Sequence, residues 1–76
     1  MEEIVLRVLS RINEDIVTYD GENLFDAGIL DSLQVVDIIA ALEDELDIDI
    51  DAECVIEENL KTKETIIDMI NRIVGS

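Results

Sequence analysis

Apolar residues recur along this chain with the period of a helix in three places. Near the start, Ile4, Val5, Val8, Leu9 and Ile12 line up on one helical face. Near the end, Ile66, Ile67, Ile70, Ile73 and Val74 do the same. The segment from Leu33 to Leu46 is apolar on more than one face. Val35, Ile39, Leu42 and Leu46 read as its core stripe, with Ile38 beside it. Leu33, Val36 and Ala40 form a second stripe, and Asp37, Glu43, Asp44 and Glu45 fill much of the rest. A helix with two apolar stripes is either buried all round or keeps one for a partner. Complete burial is hard to arrange in so short a chain.

The ends of these segments carry matching signals. Glu2 and Glu3 occupy the first turn of the first helix, where the helix dipole favours acids. Asp31 can cap the middle helix, with Gln34 reaching back as in a capping box. Thr62 is placed to cap the last helix and Gly75 to stop it. Between the first two helices, roughly from Asp15 to Leu30, lie about fifteen residues, long for a loop in a compact domain. Val17, Tyr19, Leu24, Phe25, Ile29 and Leu30 can anchor it, and "YDGEN" and "DAG" supply turn residues. After Leu46, "DIDIDAECVIEENLKTK" is too broken by charge for a long helix, and one short helical turn is expected within 52–60. The fold expected is all-α: a small four-helix bundle, three helices long and one short, with a long anchored loop between helices one and two. Residues 1–76 make a single domain.

Composition narrows what such a bundle can do. Hydrophobic residues are 49% and aromatics 3%, so the core is aliphatic. Twenty acids against five bases give a net charge of -15. Nucleic acid is a poor partner for this surface, because phosphate backbones are bound by Lys and Arg. Proteins with basic patches are favoured, since opposite potentials steer encounter. The start "MEEIVLRVLS" shows no signal-peptide pattern, and no apolar run approaches the length of a membrane helix. A cytoplasmic monomer without membrane insertion is expected. The single cysteine, Cys54, adjoins Val55 and Ile56 and reads as a small core residue.

Ser32 is the candidate for chemistry. It stands between a turn and the start of the middle helix, in "AGILDSLQVVD". The chain has no histidine, so Ser32 has no base of its own and a Ser–His–Asp mechanism is excluded. Taken alone, the serine is an ordinary helix-start residue. Its surroundings say more. "GILDSLQVVDIIAALEDELDIDI", the approach "LFDAGILDS" and the run "ENLKTKETI" together resemble the acyl carrier protein family. The resemblance covers nearly the whole chain. It implies a non-enzymatic carrier whose Ser32 hydroxyl receives 4′-phosphopantetheine from coenzyme A through a separate phosphopantetheinyl transferase. It implies that Asp31 shares the transferase's magnesium ion. It also implies that cargo rides as a thioester on the arm, between enzymes of fatty acid or of specialised lipid, polyketide or peptide biosynthesis. By the same resemblance, Leu33, Val36 and Ala40, rimmed by Asp37, Glu43 and Asp44, form the face that acyl-loading and acyl-transfer enzymes with basic patches read. Apolar anchors inside a charged rim fit a transient interface.

Other readings compete. Fatty-acid carriers commonly read G-A-D-S-L, whereas this chain has Gly28-Ile29-Leu30-Asp31-Ser32-Leu33. Together with "VIEENLKTKETI", this resembles stand-alone carriers, including D-alanyl and other aminoacyl carriers. Asp47, Asp49, Asp51 and Glu58 match positions of an EF-hand loop, but Ala52 stands where its glycine is needed. Weak divalent binding at Asp47, Asp49 and Asp51 is the reading kept there, with no dedicated metal site. An unmodified acidic helical adaptor, or a weak calcium-binding module, is the alternative of a different class.

Overall fold

The three periodic segments fold as helices in a computed structural model that describes residues 2–75. In chain order these are α1 (Glu2–Ile12), α2 (Glu14–Thr18), α3 (Ser32–Leu46), a 3₁₀ turn (Ala52–Cys54), α4 (Glu57–Leu60) and α5 (Lys63–Gly75). The all-α carrier-like fold stands, with two differences of detail. The first lies in the segment expected to be loop from Asp15. Asn13 is extended and breaks α1 from α2, and its side chain accepts a hydrogen bond from the Asp15 N–H. The cap and the acids Glu14 and Asp15 start a further turn and a half of helix, so the open loop begins only at Tyr19. The second lies in 52–60, where two short turns replace the one expected. Asp51 caps the first of them through the Glu53 N–H.

Every segment contributes to one core. Val5, Val8 and Leu9 of α1 meet Ile16 of α2, Ile38 and Leu42 of α3, Leu60 of α4, and Ile66, Met69 and Ile70 of α5. No polar or charged side chain is buried among the described residues. Helix α1 is the hub, packing on α2, α3 and α5, while α4 packs on α5. The radius of gyration is 11.1 Å, against about 11 Å expected for a folded chain of this length.

The core stripe of α3 is rotated from its expected position. Ile38 and Leu42 are fully buried, while Val35, Ile39 and Leu46 are only partly covered. Helix α1 covers the Ile38–Leu42 side. On the other side the chain offers only the 3₁₀ turn and its neighbours, which leave Val35 and Ile39 lining a groove. At its end α3 stops on Asp47, in the left-handed conformation at φ 53°. Asp tolerates that region better than most side chains, though glycine fits it best.

The loop from Tyr19 to Leu30 is anchored by polar groups as well as by apolar ones. The Tyr19 hydroxyl accepts the Asn23 N–H and donates to the Asn23 carbonyl. The ring passes so close to Gly21 that a side chain there would collide with it. The Asn23 side chain accepts from the Phe25 N–H at 2.8 Å and donates to Glu57 Oε2 at 2.8 Å. The Leu24 N–H donates to the Lys61 carbonyl at 2.7 Å, and Lys63 Nζ donates to the Tyr19 carbonyl at 3.1 Å. Gly28, at φ 76°, closes a turn in which the Ile29 and Leu30 N–H groups both donate to the Leu24 carbonyl. The loop is thereby tied to α4 and the start of α5, and it delivers the chain to Asp31.

Candidate functional site

Asp31 caps α3, as expected. Its Oδ1 accepts the Gln34 N–H at 2.9 Å, and its carbonyl accepts the Val35 N–H at 3.0 Å. Gln34 does not complete a capping box. Its Oε1 accepts instead from Asn13 Nδ2 at 3.2 Å, because the α1–α2 break brings that amide within reach. Asn13 Nδ2 also makes a long contact, 3.5 Å, with the Ile29 carbonyl.

Ser32 is the first residue of α3 and is exposed. No described residue is hydrogen-bonded to its hydroxyl. The hydroxyl is therefore open to approach, with no side chain hydrogen-bonded to it to take its proton. Within the first turn, the Gln34 N–H is spent on Asp31, which leaves the Ser32 and Leu33 N–H groups at the positive end of the helix dipole.

A groove opens beside the serine. Its volume is about 490 Å³, and its walls are Phe25, Val35, Val36, Val55, Ile56, Glu57 and Leu60 together with Ser32. A second groove of about 340 Å³ continues along α3 past Ile39 and Ala40 to Glu43, with Ala52 opposite. The two share Val35, Val36 and Val55, and so form one trough along the flank of α3. The sequence pattern does not reveal Phe25, Val55 and Ile56 as neighbours of Ser32. The only sign is an apolar pair, Val55-Ile56, standing amid acids. Ile56 remains 48% exposed, which marks it as part of this rim and not of the core.

The second stripe of α3 lies outside the core. Leu33 is 76% and Val36 64% exposed, and Ala40 is exposed with them. Asp37 and Asp44 are exposed on the same helix. Glu43 differs. It is half-buried, and its Oε2 accepts the Ile50 N–H at 2.8 Å, pinning the segment that follows α3.

The acidic run after α3 is used structurally. Asp47 ends the helix, and Asp51 caps the 3₁₀ turn in which Ala52 lies, so no EF-hand loop forms. No group of three or more His, Cys, Asp or Glu side chains gathers as a metal ion needs, among the described residues. Cys54 is half-buried at the core margin. Among the described residues no helix is long and apolar enough to cross a membrane.

The arrangement suits attachment. It offers one accessible hydroxyl at a helix start with no base bonded to it, an apolar trough leading away, and an exposed stripe behind it. Compared with known families, residues 1–73 match the family model described as "Phosphopantetheine attachment site". No curated protein and no solved structure gives a significant match.

Proposed function

This chain belongs to the phosphopantetheine attachment-site family, whose members are carriers bearing 4′-phosphopantetheine covalently, and from that premise we propose that Ser32 is the residue that bears the arm. The observation that carries the assignment is the state of the Ser32 hydroxyl: exposed, unbonded, and at the start of α3. The other described serine offers no such setting. Ser10 lies within α1, and Ser76 lies outside the described residues.

The residues around Ser32 fit the group. A phosphodiester on Oγ would lie at the positive end of the α3 dipole, where the Ser32 and Leu33 N–H groups would be the ones to hold it. Asp31 Oδ1 is committed to the cap, and its second oxygen is the one that would be left to share the modifying enzyme's magnesium ion. The hydroxyl oxygen forms the new phosphodiester bond as the pyrophosphate of coenzyme A breaks and adenosine 3′,5′-bisphosphate leaves, and its proton passes to a base on that enzyme, since no group of this chain is hydrogen-bonded to it. The trough from Ser32 to Glu43 offers an apolar bed beside the attachment point. When bound, the arm supplies a terminal thiol that holds cargo as a thioester.

Leu33, Val36 and Ala40, with Asp37 and Asp44, form the face that the transferase and the cargo-handling enzymes read. Their basic patches are drawn by the chain's negative field. The work is cytoplasmic, and the cargo is acyl, of fatty acid or specialised lipid, polyketide or peptide biosynthesis. Aminoacyl cargo is the second reading. It is favoured by Ile29-Leu30 before Asp31, where Leu30 is buried in the core and sets the approach to the serine. Loading the arm-bearing chain with octanoyl and with alanyl groups, and following which cargo shifts the resonances of Val35, Ile39 and Val55, distinguishes the two. The carrier reading itself is tested by incubation with coenzyme A, magnesium and a broad-specificity transferase. The chain gains the mass of one phosphopantetheine, and no gain would exclude the proposal.

A further inference from the structure

Ser32 is held in place by no bond of its own, so its position is set by its flanks. Asn13 touches both of them. Its Nδ2 donates to the Gln34 side chain at 3.2 Å on the α3 side and contacts the Ile29 carbonyl at 3.5 Å on the loop side. Its Oδ1 accepts the Asp15 N–H at 3.0 Å and starts α2. One half-buried amide thus joins the α1–α2 break to both sides of Asp31-Ser32-Leu33. Gln34 is also the residue whose N–H is capped by Asp31, so the first turn of α3 is gripped at Gln34 from backbone and side chain alike.

We propose that Asn13, acting through Gln34, is a positioning residue for the Ser32 hydroxyl. It holds the start of α3 in the one orientation that a docking transferase can use. This rests on Ser32 being the attachment residue. A reacting group must be held closely to react, and small displacements of it cost rate steeply. Besides Asn13, the Asp31 cap and the apolar packing of Leu30, Val35 and Ile38 hold this turn.

Two substitutions separate positioning from simple folding. Asn13→Ser keeps an oxygen that caps α2 but is too short to reach Gln34. Gln34→Met keeps the length and helix preference of the side chain but removes the acceptor. Each lowers kcat/KM for transfer about three- to tenfold, the scale of one net hydrogen bond. The double variant falls no further than the more impaired single, because both remove the same interaction. Amide exchange at Gln34 and Val35 quickens in each variant, while exchange at Ile38 and Leu42, which reports whole-domain opening, changes less. Unchanged kcat/KM in both singles would overturn the proposal, as would losses that add in the double or exchange that quickens equally at all four amides. If the unaltered chain accepts no arm, the attachment reading fails. The positioning role for transfer then falls with it, whereas an arm accepted at an unchanged rate by both variants overturns the positioning role alone.

Discussion

Glu43 Oε2 accepts the Ile50 backbone N–H at 2.8 Å, a bond that spans the turn after α3. This separates Glu43 from the acids around it. On the helix pattern it belongs with Asp37 and Asp44 on a rim read by partners, yet those two are exposed and Glu43 is half-buried.

The two kinds of acid respond differently to substitution. Glu43→Ala lowers stability by about 1.5–3 kcal/mol, the usual loss for a hydrogen bond to a charged group. Asp37→Lys leaves stability within about 0.5 kcal/mol but slows transfer by a basic-faced transferase. Urea unfolding and transferase kinetics on the two variants check this. Equal loss of stability in both would contradict it.

The two apolar stripes of α3 divide in the same way. Leu42→Ala costs about 2–5 kcal/mol. A domain of this size holds about 4–11 kcal/mol in all, so this variant loses a large share of its stability and melts well below the unaltered chain. Val36→Ala, at an exposed position, changes stability by less than about 0.5 kcal/mol while raising the transferase KM. Circular dichroism melts beside steady-state kinetics measure both effects.

Two left-handed positions should respond with opposite signs. Asp47→Gly relieves the φ of 53° and removes an acid from the negative end of the α3 dipole. It raises stability by about 0.5–1 kcal/mol. Gly28→Ala meets no atom within 4 Å, yet it loses about 1–2 kcal/mol because its φ is 76°. Denaturant midpoints report both. A destabilised Asp47→Gly, or an unchanged Gly28→Ala, would refute the reading.

These contrasts show where local pattern suffices. The face of α1, the Asp31 cap and the Thr62 cap are all set by residues within four positions of one another, and the face of α5 is legible at Ile66 and Ile70, although Met69 is buried there while Val74, expected on that face, is 44% exposed. At Thr62 the Thr65 N–H donates to the Thr62 hydroxyl, and the Thr62 N–H donates in return to the Thr65 hydroxyl, both at 3.1 Å. Ser32 and its cap are legible for the same reason. The rotation of the α3 core from Val35 to Ile38 is not, because it depends on which side α1 covers. Helix α2 is missed because five residues give too little period, although Asn13 followed by Glu14 and Asp15 is a start signal. The Asn13–Gln34 and Glu43–Ile50 bonds join groups that the sequence could assign elsewhere, Gln34 to its own cap and Glu43 to a solvent face.

One carboxyl gives a pH signature. Slight desolvation works to raise Glu64, but its backbone hydrogen bond, helped by Lys63 and Thr62, outweighs this and holds it below its ordinary 4.5. A carboxyl lowered in the folded state stabilises above its unfolded value and loses that contribution as pH falls through the folded one. Glu64→Gln therefore trails the unaltered chain in Tm at neutral pH, and the gap closes as pH drops below 4.5. A gap that stays constant or widens on acidification would contradict the assignment.

The central claim is that Ser32, and not another hydroxyl, is the point of attachment. The most direct test treats the unaltered chain and Ser32→Ala with coenzyme A, magnesium and transferase, then locates any added mass by fragmenting the peptide that spans 28–42. The account predicts one phosphopantetheine on Ser32 and none on the variant, whose melting curve remains that of a folded helical domain. An arm found on Ser10, Thr62 or any other residue, or still accepted by Ser32→Ala, would contradict it.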